Sequence, residues 1–470
     1  MASKTFDLII IGSGSGNSLI GPEYDDARVA IIESGTFGGT CLNVGCIPTK
    51  MYVYAAEVAG TIRSASRYGV DVHIDGVRWP DIRDRIFDRI DPISDGGRNY
   101  RAEAGNVTLF AGRASFTGPK TLEVTSADGT QHVITGERIV IATGARPMIP
   151  PVIADSGVAV YTSDTVMRME HLPATMIIVG GGYIASEFAH IFSALGVAVT
   201  LVIRSNGLLR HLDDDISDAF TAAAKQQWDV RLGHTISGMS NLSEGGVRVE
   251  LFDGDGHVDV VKAEVVLVAT GRLPNSRDMG LDLAGVAVED DNRIRVDAFG
   301  RTTAPDVWSL GDVSSAHQLK HVANHEARVV AHNLAHGDDL QPFRHTYVPA
   351  AVFTHPQIAT VGLTEKQARE AGHDVAVKVQ KYGDTAYGWA MEDTDSFVKL
   401  VADRATGLLV GAHFLGPQSS SLIQPLIQAM TFGLGVHTMA RDQYWIHPAL
   451  AEVIENALLG LDMGPAPSSH

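Results

Sequence analysis

Cysteine is nearly absent from this chain: 470 residues hold only two, Cys41 and Cys46, five positions apart. A structural disulfide closing so short a loop would constrain the unfolded chain very little. A zinc site would need about two further ligands, and no other cysteine is available. The pair therefore reads as a dithiol–disulfide redox couple, the other reading being two bystander thiols. Working thiols fit a reducing compartment, so a cytoplasmic location is expected. Basic residues are also scarce, 37 Lys and Arg against 55 Asp and Glu, and the net charge of −18 argues against nucleic acid or an anionic membrane as partner. No apolar run approaches the roughly 20 residues of a membrane span. Asp7 interrupts the one stretch that could pass for a signal peptide. What is present, 45% hydrophobic and 20% charged residues with 48 glycines, describes a globular protein of about three domains with many close backbone approaches.

Phe6–Ile11 reads as a buried parallel strand and runs into Gly12-Ser13-Gly14-Ser15-Gly16-Asn17. A strand, a glycine turn and a helix start make a pyrophosphate site, because bare backbone N–H groups can approach the anion. Glu33 ends the next strand, Val29–Ile32, where a carboxylate accepts ribose hydroxyls. The pattern recurs at Met176–Val179 followed by Gly180-Gly181-Gly182-Tyr183-Ile184-Ala185, so two nucleotides are expected. The second strand of that unit, Val197–Ile203, ends in Arg204 rather than an acid, with Arg210 close behind. Arginines offer a fork of donors to a 2′-phosphate, which points to NADPH; two solvated surface arginines are the alternative. Apolar spacing predicts helices over 51–67, with Cys46 in the first turn, and over 81–100. A helix N-terminus lowers a thiol's pKa. Short strands are predicted across 107–133.

The segment Gly38-Gly39-Thr40-Cys41-Leu42-Asn43-Val44-Gly45-Cys46-Ile47-Pro48-Thr49-Lys50 resembles the redox signature of the flavin disulfide reductases, the family of glutathione reductase and dihydrolipoyl dehydrogenase. Matching stretches run from Phe6 to Leu461. The resemblance implies an α/β protein with two Rossmann-like dinucleotide-binding domains and an α+β dimerisation domain. It divides the chain into a first FAD part (1–150), an NADPH domain (151–273), a second FAD part (274–344), a dimerisation domain (345–462) and a Gly/Pro/Ser-rich disordered tail (463–470). For FAD it implies Gly12, Gly14, Ser15, Gly16, Glu33, Gly39, Thr40 and Lys50. The Ala142-Thr143-Gly144 segment, Ala114, Gly311 with Asp312 and Leu319 complete that set. For NADPH it implies Gly180, Gly182, Ile184, Arg204, Arg210, Gly271 and Arg272. Tyr183 is expected to cover the flavin, and Glu187, on the same helix face, to pair with Lys50. His447 and Glu452 are expected as an acid–base pair reaching the cysteines of a second subunit in a homodimer. Two departures from the family stand at the first nucleotide turn. Asn17 replaces a third glycine, and Pro22 cuts short the helix. A third is Leu319-Lys320-His321, where relatives carry Thr-Pro-x-Ala. His325 and Glu326 receive no role.

Within the family, Gly35-Thr36-Phe37, Met51-Tyr52-Val53-Tyr54 and Tyr444–Leu450 resemble the mycothione reductase branch. Dihydrolipoyl dehydrogenase is the alternative, but the acid usual at Arg204 is missing. Mercuric reductase and the large thioredoxin reductases need C-terminal cysteines that this chain lacks. A non-catalytic flavoprotein would not need Cys41, Cys46 and His447 together. Glutathione disulfide carries four carboxylates, whereas residues 13–19 and 51–57 contain no Arg or Lys. An uncharged sugar disulfide fits that region better.

Overall fold

The computed structural model describes residues 4–464. Three sheets organise it. In the first, Lys4–Ile11 lies between Val29–Glu33 and Gln131–Ile141, with Val107–Gly118 and Val307–Ser309 outermost, all parallel. Leu8–Ile11 are at most 4% exposed, because a central parallel strand is covered on both faces; this is why it reads as an unbroken apolar run. Gly12, Glu33, Ala142–Gly144 and Gly311 all fall at the carboxyl ends of these strands, the edge where open α/β sheets bind ligands.

The second sheet is also parallel: Asp229–Leu232, Ala198–Ile203, Thr175–Val179, Val265–Val268 and Tyr161–Thr162 in spatial order, with an antiparallel meander spanning Thr235–Ala263 beside it. The third is an antiparallel sheet of five strands, centred on Leu408–Leu415 between Ile358–Gly362 and Phe397–Asp403. Helices Gln424–Phe432 and Glu452–Leu459 cover its apolar face. A buried ionic knot joins the second and third sheets. Lys399 Nζ lies 2.8 Å from Asp213, 2.7 Å from Asp215 and 2.9 Å from Glu365. The architecture is the expected α/β arrangement of two Rossmann-like units and an α+β unit.

Local expectations shift in detail. The cysteine helix runs Cys46–Ser64, and the following polar helix Trp79–Glu103. The stretch predicted as short strands holds Val107–Gly118 and the start of Gln131–Ile141. The first half of Val107–Gly118 belongs to the parallel sheet, and its second half pairs with Thr121–Ser126. At the first glycine turn no α-helix forms: Ser15–Leu19 is a single 3-10 turn, and Pro22–Tyr24 another. Arg101 braces the shortened segment, donating to the Asn17 side chain at 2.8 Å and its carbonyl at 2.9 Å. Met463, in the expected disordered tail, packs on the apolar core of the third sheet, and residues 465–470 of that tail lie outside the described residues. Among the described residues no helix is long and apolar enough to cross a membrane.

Candidate active site

A cavity of about 950 Å³ runs along the carboxyl edge of the first sheet, from Glu33 past the two cysteines to Tyr183. Its floor is made by two turns in contact. Gly12 has φ +105°, and a Cβ there would lie 2.3 Å from the Ala142 carbonyl oxygen; one on Gly39 would lie 2.7 Å from the Gly14 Cα. Only glycine permits this approach, which leaves the turn's backbone facing the cavity. Gly16 sits behind that wall against Ala142 and Ile10. Glu33 lines the cavity but is already engaged: Oε2 accepts from the Ser13 N–H at 2.9 Å and its hydroxyl at 2.7 Å, and Oε1 from the Gly35 N–H at 2.8 Å. A carboxylate has about four acceptor sites, so capacity for a ribose remains.

Thr40 lines the cavity beside the cysteines, and Ala114 lines it near Glu33. Thr143 and Gly144 line it where Asn275 exchanges two 2.9 Å hydrogen bonds with Thr143. Asp312 also faces in, and burial raises its carboxyl. Gly311 N–H donates to Glu326 Oε2 at 2.7 Å, while Glu326 Oε1 meets His345 at 2.9 Å. Glu326 thus fixes the turn that presents Asp312, a role invisible in the sequence because it depends on a helix packing over the sheet edge. Leu319 caps that helix without lining the cavity; its neighbours Gln318 and Lys320 do. Lys320 Nζ donates to Ser15 Oγ at 2.8 Å. A glycine-cleared floor, a ribose acceptor and a cation at the turn fit an extended dinucleotide such as FAD.

Cys41 lies in the short helix Gly39–Asn43 and Cys46 opens Cys46–Ser64. Asn43 holds the bend between them, donating to the Phe37 and Gly39 carbonyls. Both sulfurs are free thiols. The Cys41 thiol hydrogen-bonds to Cys46 and, with the Lys50 charge, overcomes burial to lower Cys46 to about 7. The same hydrogen bond, with burial, raises Cys41. Of the two sulfurs, Cys46 is therefore the one that ionises more readily. Lys50 Nζ lies 2.6 Å from Glu187 Oε2 and 4.4 Å from the Phe353 ring centre; Glu187 Oε1 accepts the Phe353 N–H at 3.0 Å. Tyr183 and Ile184 line the same end, and Arg272, 7% exposed, is anchored by Asp164 and the Ala145 carbonyl.

The second nucleotide turn repeats the first: Gly180 has φ +138°, and a Cβ would lie 2.2 Å from the Ala269 carbonyl oxygen. Gly182 caps helix Tyr183–Ala194 and faces open space. Gly271 immediately precedes strand Arg272–Pro274. Leu209 N–H donates to the Gly181 carbonyl at 2.9 Å, tying the arginine loop to this turn. Arg204 and Arg210 are exposed, and neither makes an ion pair among the described residues. Gly180, Gly182, Gly271, Arg204 and Arg210 lie outside the large cavity.

His447 Nδ1 is 2.6 Å from Glu452 Oε1, and Glu452 Oε2 accepts the Ala449 N–H at 3.3 Å. The imidazole is 71% exposed and is not among the residues lining the cavity. Within one chain the histidine and the cysteines are not brought together. Residues 6–327 match the family model described as pyridine nucleotide-disulphide oxidoreductase, and residues 348–458 its dimerisation domain. The chain is 56% identical to a mycothione reductase of Mycobacterium tuberculosis, covering 97% of this chain and 100% of that one. It is 34% identical to a glutathione reductase of Burkholderia cepacia, over 96% and 98%. Among solved structures, the Cu(II) complex of the HOCl-induced flavoprotein disulfide reductase RclA from Escherichia coli superposes with TM-score 0.85 at 28% identity, over 98% and 99%. The chain belongs to the pyridine nucleotide-disulphide oxidoreductases: it is an FAD- and NAD(P)H-dependent flavoprotein oxidoreductase with a redox-active cysteine pair and the family's dimerisation domain.

Proposed function

We propose that this enzyme is a cytoplasmic, NADPH-dependent reductase of mycothiol disulfide, working as a homodimer whose active site draws on both subunits. The observation that carries the substrate is that the cations near the cysteine pair are turned to other groups, Lys320 to Ser15 in the nucleotide turn. Lys50 is held by Glu187, and Arg101, which tertiary packing brings to residue 17 although the sequence there has no cation, is held by Asn17. The exposed face of the cysteine helix presents Ile47, Tyr54 and Val58. Such a surface suits an uncharged sugar-bearing disulfide better than the four carboxylates of glutathione disulfide. The 56% identity to a mycothione reductase supports the same reading.

Bound FAD supplies a two-electron relay between nicotinamide and the disulfide. Tyr183 closes the cavity end where the nicotinamide enters and moves aside for it. Lys50, balanced by Glu187, keeps a positive charge near the thiolate of Cys46. The Cys41 sulfur attacks one sulfur of the substrate, forming a mixed disulfide and releasing the other half as thiolate. His447 of a second subunit, held through Nδ1 by Glu452, keeps Nε2 free to take the Cys41 proton and return it to that leaving thiol. Cys46 then attacks Cys41, releasing the second thiol and restoring the disulfide. The balance is NADPH, one proton and one disulfide giving NADP⁺ and two thiols. Steady-state turnover with NADPH is compared on mycothiol disulfide, glutathione disulfide and lipoamide at matched concentration. Much faster turnover on the first is expected; comparable rates on either competitor remove the assignment.

A further inference from the structure

The first nucleotide turn lacks its usual electrostatic partner. A long α-helix opening on a pyrophosphate carries about half an elementary positive charge at its N-terminus. Here that element is a five-residue 3-10 turn, Ser15–Leu19, stopped before Pro22. So short a segment has little aligned dipole to offer.

A full positive charge stands in the same place. Lys320, first residue of helix Lys320–Ala335, reaches across the cavity and donates to Ser15 Oγ at 2.8 Å, in the middle of the glycine turn. Cys41 and Asp312 line the same cavity, and the Lys320 charge favours the ionised form of the thiol and of the carboxyl. Of the other cations lining the cavity, Arg277 is exposed, while Lys50 meets Glu187, Arg113 meets Asp278, Arg272 meets Asp164, and Arg146 donates to the Asn275 side chain. Lys320 alone among these rests on a neutral hydroxyl and makes no ion pair among the described residues. A half-buried ammonium facing a nucleotide turn lacks an anion, and the turn's ligand carries one.

We propose that Lys320 binds the pyrophosphate of FAD, replacing with a side-chain charge the helix-end charge that the shortened segment lost. The two departures at this site, a truncated helix and a lysine at the start of a distant one, are then a single compensated change. Arg101 contributes separately by holding Asn17, which fixes the turn's shape.

The test reads cofactor retention rather than turnover. Holoenzyme is diluted and FAD release followed by recovery of flavin fluorescence, for the unmodified chain, Lys320→Met and Lys320→Arg. Loss of one charge-assisted contact predicts FAD dissociation at least about tenfold easier in Lys320→Met, largely restored in Lys320→Arg. The flavin midpoint potential, measured on the same samples, stays unchanged, because the pyrophosphate is insulated from the ring. Retention unchanged in Lys320→Met overturns the proposal. So does a shifted midpoint potential with unchanged retention, which would place the ammonium at the isoalloxazine. Equal loss in Lys320→Met and Lys320→Arg shows a packing role and overturns it as well.

Discussion

Replacing Arg204 by alanine isolates the nucleotide preference, because this guanidinium is exposed and has no ion-pair partner among the described residues. Removing it takes nothing from the folded core, so stability should change by no more than about 0.5 kcal/mol. Its whole effect falls on the ligand. A hydrogen bond to a charged group contributes roughly 1.5–3 kcal/mol, and 1.4 kcal/mol is about tenfold. Arg204→Ala should therefore lower kcat/KM for NADPH by about tenfold to a hundredfold, mainly through KM. NADH, which lacks the 2′-phosphate, should lose less than about twofold. Arg204→Lys keeps the charge without the fork and should fall between. Since Arg204 and Arg210 would share one phosphate, Arg210→Ala added to Arg204→Ala should cost less than the two single losses combined. The assay is steady-state kinetics with each nucleotide at saturating disulfide. Equal use of NADPH and NADH by the unmodified enzyme, or equal losses on both in Arg204→Ala, would refute the reasoning.

Cys46, lowered to about 7 while its hydrogen bond and burial raise Cys41, should supply the thiolate beside the flavin: reduced Cys41→Ser should keep a long-wavelength charge-transfer absorption and Cys46→Ser should lose it, and the opposite pattern would reverse their roles. Lys399→Met should destabilise by about 3–5 kcal/mol, since it leaves Asp213, 2% exposed, buried beside two more carboxylates, and adding Asp213→Asn should recover part of the loss in urea denaturation. Burial alone would raise Asp213, but the Lys399 ammonium and the Glu365 N–H hold it below the usual carboxylate range, as Lys399 and Arg369 do Glu365. Their contribution is thus complete at neutral pH and lost as pH falls below about 4, so the Lys399→Met deficit should shrink on acidification; a deficit independent of pH would count against the knot.

Much of the chemistry was legible because it is local. Gly12 and Gly180 are dictated by backbone approaches that no other residue allows, so a turn motif names them from a few positions. Cys41 and Cys46 stand out by scarcity and spacing, and the i, i+4 relation of Tyr183 and Glu187 follows from helical period alone. The apolar run Phe6–Ile11 likewise marked a buried parallel strand. What escaped the sequence joins residues far apart in the chain. Lys320 reaches Ser15 across 305 positions, Glu326 holds Gly311 from the opposite side of a turn, and Arg101 puts a cation on a segment that has none of its own. Glu33 was read as a ribose acceptor, yet three donors from Ser13 and Gly35 already occupy part of it. Side-chain period and turn chemistry are set within about one turn or one strand, whereas a charge finds its partner only once separate elements have packed. The sequence by itself therefore determined the two nucleotide turns and the redox pair, and tertiary structure alone decided which cations stay free to meet a ligand.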